Sequence, residues 1–136
     1  MPTSYSSLMP TLYVSNLWRP DGVQMGEFEQ LVLMAVLRLK DTAYGVEIRR
    51  AVAKHSGRDI AAGAVYTTLN RLEARGYVTS RVGETAPERT GQRRKYYRVE
   101  PEGAAALHRS YSALRSMASG LVTELEALAA RAGKSA

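Results

Sequence analysis

The chain has 136 residues, 45% of them hydrophobic and 24% charged, with a formal net charge of +6; this suits one globular domain with at most a small appendage. It holds no cysteine, which excludes disulfides, thiol catalysis and Cys-based zinc sites and fits a reducing cytoplasm. Its longest apolar stretch, Leu31 to Leu37, falls far short of the roughly 20 residues that a membrane-spanning helix needs.

Residues 1–24 contain Pro2, Pro10 and Pro20 among Ser and Thr, with little periodicity. They lack the basic start and apolar run of a secretory signal, so a flexible N-terminal extension is expected, with Met25 as an alternative start of the chain. A helical pattern opens at Gly26 and runs to Leu39. Phe28, Leu31, Val32, Ala35 and Leu39 share one face, and Leu33 and Leu37 make the other side apolar too. Such a helix is expected to be buried on two sides. A second helix is predicted over about 43–55, with Thr42 as its N-cap and Tyr44, Ile48, Ala51 and Val52 inward. Gly57 and Asp59 mark a turn. A third helix spans about 62–75, closed by Gly76, which tolerates the left-handed conformation of a helix end.

Val78 to Val82 alternates as a strand, Gly83 to Gln92 reads as a loop, and Arg93 to Val99 reads as the returning strand. Pro101 then suits the first turn of a last helix. Along it Leu107, Leu114, Leu121 and Leu128 recur every seven residues, with Tyr111, Ala118 and Leu125 between them. Alternating steps of four and three make a seam for a partner helix. A dimerisation helix over 101–131 is therefore predicted, helped by the first helix because Ala118 and Gly120 narrow the seam. Packing of this face on its own domain is the plainer alternative.

The charge is unevenly placed. Between residues 60 and 99, eight bases (Arg71, Arg75, Arg81, Arg89, Arg93, Arg94, Lys95 and Arg98) stand against three acids (Glu73, Glu84 and Glu88), a balance of +5, whereas residues 100–136 are neutral. A polyanionic partner explains a local patch better than solubility does. On the third helix Val65, Leu69 and Leu72 project to the core, with Tyr66 and Glu73 at the margin. Gly63, Ala64, Thr67, Asn70 and Arg71 project outward, and Thr68 sits on the flank. Small residues at the N-terminal end allow close approach to a groove. Asn70 suits adenine, Arg71 suits guanine or phosphate, and Thr68 suits a phosphate oxygen. Arg89, Arg93, Arg94 and Lys95 supply an arm for the sugar-phosphate or the minor groove. A short helix followed by a cationic hairpin is the layout of a winged helix-turn-helix, a mainly α fold with a small β-hairpin. The predicted organisation is residues 25–100 as a winged-helix DNA-binding domain followed by the dimerisation helix.

Residues from about Met25 to Leu128 resemble the PadR-type transcriptional regulators, in the group with a single short C-terminal helix. The resemblance rests on Gly26-Glu27-Phe28-Glu29, Ala43-Tyr44-Gly45-Val46, Gly63-Ala64-Val65-Tyr66-Thr67-Thr68-Leu69, Arg71-Leu72-Glu73 with Gly76, Pro87-Glu88-Arg89, and Arg93-Arg94-Lys95-Tyr96-Tyr97-Arg98-Val99. It implies a homodimer on a pseudo-palindromic operator in double-stranded DNA, repressing its own or a nearby gene. Tyr66, at the margin of the helix, is counted with the DNA-facing residues, and the resemblance implies release by a small apolar or aromatic effector bound between subunits. Apolarity alone places such a pocket near Met34, Leu37, Tyr111 and Met117. Ala61 stands where the family has a Ser or Thr cap, and Glu100 where it has a Thr.

Three other classes remain open on sequence: an enzyme, a winged helix used only for protein interaction, and an architectural DNA binder without sequence preference. For an enzyme, His55 and His108 are the only histidines, and no Ser-His-Asp, metal-ligand or phosphate-loop spacing is present. No cofactor or metal is expected.

Overall fold

The computed structural model describes residues 25–85 and 93–135. Helix α1 spans Glu27–Leu39, a 3-10 turn covers Lys40–Thr42, and α2 spans Gly45–Ser56. Helix α3 follows at Ala62–Ala74, then strands β1, Val78–Thr85, and β2, Arg93–Val99. Helices α4, Pro101–Ala118, and α5, Val122–Ser135, complete the chain. The mainly helical class with a two-stranded antiparallel hairpin is the one expected. The predicted extension over residues 1–24 and most of the predicted loop lie outside the described residues.

The core is built where α1 meets its neighbours. It packs against α2, α3, β2 and α4, which answers to its nearly all-round apolarity. Its buried positions are Gln30, Val32, Leu33, Ala35 and Val36, so the face is turned from the predicted one. Phe28, Leu31 and Leu39 pack only partly against the core. With neighbours on two sides, a single stripe did not describe this helix. Gln30 is tolerated inside because its side-chain amide donates to the Met25 carbonyl at 3.2 Å. From α2 come Ile48 and Val52, and from α3 come Val65, Leu69 and Leu72, all fully or almost fully buried.

Helix α2 begins two residues later than predicted. Thr42 does not cap it; its hydroxyl donates back to the Leu39 carbonyl at 2.7 Å, closing the 3-10 turn. Tyr44 takes the N-cap position in extended conformation, and it also bridges antiparallel to Tyr96 of β2. The segment between α1 and α2 thus adds one rung to the edge of the hairpin, with the Tyr97 N–H donating to the Ala43 carbonyl at 2.8 Å. A tight crossing of α2 and α3 follows at Gly45. A Cβ there would collide with the ring and hydroxyl of Tyr66, so glycine is needed for the two helices to approach.

In the hairpin, Val78 pairs with Val99, Ser80 with Tyr97 and Val82 with Lys95, and the register then slips by one residue before Thr85 meets Arg93. Strand β1 is longer than predicted and carries a bulge at Gly83 and its neighbours, which bends the arm.

The C-terminal region departs most from expectation. Instead of one helix over 101–131, the chain breaks at Ser119–Leu121. Gly120 there has φ 82, a left-handed conformation that ends a helix and that glycine adopts without a Cβ penalty. The heptad spacing ran through this glycine because leucine periodicity carries no information about backbone direction.

Candidate nucleic-acid interface

Helix α3 presents two faces. Val65, Thr68, Leu69 and Leu72 point inward, at spacings of three and four that define one stripe. Gly63, Ala64, Thr67, Asn70 and Arg71 are exposed. The outward set is the predicted one; Thr68, expected on the flank as a phosphate contact, is 4% exposed. Its position three residues after Val65 and four before Leu72 puts it at the edge of the core stripe. Tyr66 is exposed along one side, but its hydroxyl end fills the space above Gly45; it sets the helix crossing as much as it offers surface.

The start of α3 carries no side-chain cap at Ala61, as the missing Ser or Thr predicted. Its position is held from outside by Arg49, whose Nε donates to the Ile60 carbonyl at 2.6 Å. Sequence reasoning missed this residue, because a contact across the α2–α3 turn has no periodic signature. At the other end, Arg75 pairs with Glu29 at 3.5 Å and Gly76, with φ 80, closes the helix.

The hairpin divides the cations by strand alternation. Arg93, Lys95, Tyr97 and Val99 share one face, and Tyr97 anchors it in the core. Lys95 lies 3.6 Å from the Glu73 carboxylate of α3. On the opposite face, the Arg94 guanidinium stacks over Tyr44 at 4.2 Å and that of Arg81 over Tyr96 at 4.7 Å. The two tyrosine rings meet edge-on at 5.5 Å, so Arg94, Tyr44, Tyr96 and Arg81 form a continuous ladder. Arg98 pairs with Glu100 at 3.6 Å.

The +5 patch is therefore not one surface. Arg71, Arg93 and Lys95 remain with the exposed side of α3, while Arg94 is turned to the other face of the sheet and corrects the reading of three adjacent arm cations. Arg89 lies outside the described residues. Glu100 caps α4 with no side-chain bond to it and instead accepts from the Thr79 hydroxyl at 2.8 Å.

Burial pushes the Tyr97 phenol above its ordinary pKa, and the nearby negative charge of Glu73 and the Tyr66 phenol add to it. This group is neutral in the fold and belongs to the scaffold of the surface.

The seam residues separate into two groups. Leu107 is buried in its own domain, because α4 starts against the body with Gly103 seated on Tyr77. It is core and not interface. Tyr111, Leu114, Leu121, Leu125 and Leu128 are each between 44% and 58% exposed, and Ala118 is half-buried. Met34 packs partly against the core, whereas Leu37, Tyr111 and Met117 are exposed. A groove of about 750 Å³ at the α4–α5 break takes in Tyr111 together with Leu114, Ala118, Gly120 and Val122. Among the described residues no helix is long and apolar enough to cross a membrane.

Residues 33–109, more than half of the chain, match the model of the transcriptional regulator PadR-like family. The fold is similar to that of a PadR family transcription regulator from Clostridium difficile, at 25% identity, covering 74% of this chain and 99% of that one with a TM-score of 0.58. It is also similar to a PadR-like transcriptional regulator from Bacillus cereus, at 22% identity, 72% and 89% coverage and a TM-score of 0.57. A PadR family transcriptional regulator from Eggerthella lenta, 23% identical, covers 91% of this chain and 97% of its own with a TM-score of 0.56. At their lower identities the last two speak for the fold alone. No curated protein sequence matches the chain.

Proposed function

The chain belongs to the PadR-like family of transcriptional regulators, and from that premise we propose that it binds a pseudo-palindromic operator as a homodimer and represses its own or a neighbouring gene. As a member of this family it is a DNA-binding regulator and not an enzyme. The observation that carries the finer reading is the pairing of the exposed, small and polar face of α3 with Arg93 and Lys95 on the adjoining strand. In this reading Gly63, Ala64 and Thr67 approach the major groove closely, Asn70 and Arg71 read base edges or phosphate, and the hairpin arm holds the backbone.

The dimer is supported by the large apolar residues that α4 and α5 leave exposed. Tyr111, Leu114, Leu121, Leu125 and Leu128, on one short two-helix arm, are each about half exposed, and large apolar side chains gathered on an exposed arm are the kind of surface that a partner covers. Two copies joined there would present their α3 helices to successive major grooves, about one turn apart. A small apolar or aromatic effector between the copies, against Leu37, Tyr111 and Met117 with Met34 beneath, would release DNA by altering that spacing. Exposure of these side chains is what supports this part.

The test is binding to the DNA upstream of its own gene, against an unrelated duplex of equal length, at two salt concentrations. The expected result is a preference for the upstream fragment that survives higher salt, with footprint protection of an inverted repeat. Equal and strongly salt-dependent binding to both fragments would favour an architectural role instead. Loss of reporter repression on deleting the gene completes the test; unchanged expression would sink the repressor assignment.

A further inference from the structure

Glu73 stands on the last turn of α3, between its buried and exposed faces. The Ser80 hydroxyl of β1 donates to one of its carboxylate oxygens at 2.7 Å. The Lys95 ammonium of β2 lies 3.6 Å from the other. One side chain of α3 thus holds a residue from each strand of the arm. Lys95 is two residues nearer the tip than Tyr97, whose N–H makes the backbone bond to Ala43. The carboxylate therefore restrains the arm farther out than that main-chain tie does.

The electrostatics run against the obvious role. Glu73 is the one acid of α3, set beside Lys95 at the edge of a surface that meets a polyanion. A carboxylate there lowers attraction for DNA. With Lys95 48% and Glu73 35% exposed, the pair also adds little to folding stability. What the group supplies is geometry.

We propose that Glu73 is a positioning residue for sequence discrimination: it fixes the angle of the arm against α3, so that both engage one DNA site together, at the expense of raw affinity. The proposal rests on the sequence-specific reading above.

The experiment begins with a duplex selected from a random pool by the wild-type protein and a scrambled duplex of equal length. Affinities for both are measured for wild type, Glu73→Gln, Glu73→Asp and Lys95→Met, with and without Glu73→Gln in the last. Glu73→Gln keeps the acceptor for Ser80 but loses the charge. It is expected to bind the scrambled duplex about threefold tighter while the selected-to-scrambled ratio falls about tenfold, the scale of one charge and one misplaced base contact. Glu73→Asp keeps the charge but is a methylene shorter. It is expected to lower the ratio without the gain on scrambled DNA. In the Lys95→Met background, Glu73→Gln is expected to lower the ratio no further.

Unfolding midpoints followed by circular dichroism should stay close to wild type, separating positioning from folding. If Gln tightens binding to both duplexes equally and Asp leaves the ratio alone, Glu73 is only a repelling charge and the proposal is overturned. If the wild type enriches no sequence, the sequence-specific reading itself fails and takes this proposal with it. An enriched duplex with unchanged ratios sinks the proposal alone.

Discussion

Thr67 and Asn70 are exposed on α3, whereas Thr68 between them is buried. Thr67→Ala and Asn70→Ala should therefore leave folding intact and relax base preference, by about 1–3 kcal/mol where Asn70 makes a bidentate contact with adenine and by less for the single hydroxyl of Thr67. Competition with single-base variants of the selected site would show it; an unchanged preference profile would remove these residues from the readout. Tyr97 makes a different kind of prediction. Its pKa is raised in the fold, first by burial and then by Glu73, so the native state favours the protonated phenol. That contribution is fully present below the ordinary tyrosine value near 10 and is lost as pH rises from there through the raised folded value. Chemical denaturation should show stability falling above about pH 10, and Tyr97→Phe should flatten that fall. An equally steep fall in the Phe variant would assign it to another group.

At the scale of elements, the hairpin and the C-terminal helices each make a claim. Arg93 and Arg94 are adjacent in sequence but face opposite ways. Arg93→Ala should weaken binding to every DNA and reduce the salt slope by about one. Arg94→Ala removes the stack on Tyr44 and should instead lower stability by about 0.5–2 kcal/mol, with a smaller effect on the slope. Equal slopes for the two variants would contradict the division of the sheet faces. In the C-terminal region, Gly120 has φ 82 and open space around its missing Cβ. Gly120→Ala should therefore cost about 1–2 kcal/mol through backbone strain alone. Thermal unfolding would measure this; a more stable variant would mean that the break is easily straightened into the single helix that the leucine repeat suggested.

For the whole molecule, the exposed apolar arm must be covered for the two α3 helices to act together. Leu114→Asp should give monomers, since a buried unpaired carboxylate is not tolerated in an apolar contact. Sedimentation equilibrium reads this directly, and a variant that stays dimeric would move the interface elsewhere. Monomers should also lose most of the advantage on an inverted repeat while keeping weak, salt-sensitive binding.

The sequence by itself determined the order of elements from α1 through the hairpin to the start of α4, because helix and strand periodicity, Gly76 and Pro101 are local signals; the break at Gly120 was hidden by the leucine repeat that runs through it. The sequence also determined the outward face of α3, since a helix with one buried stripe can be unrolled from spacing alone; Thr68, read as a flank residue, proved to be buried at the margin of that stripe. The tertiary structure decided everything that depends on two elements meeting. It turned α1 to serve neighbours on both sides, moved Leu107 from seam to core, and gave Gly45 its purpose under Tyr66. It divided the cations of the hairpin between Glu73 on one face and two tyrosines on the other. These contacts join residues far apart in the chain, and no periodicity records which side chain will stand opposite another once the backbone has closed.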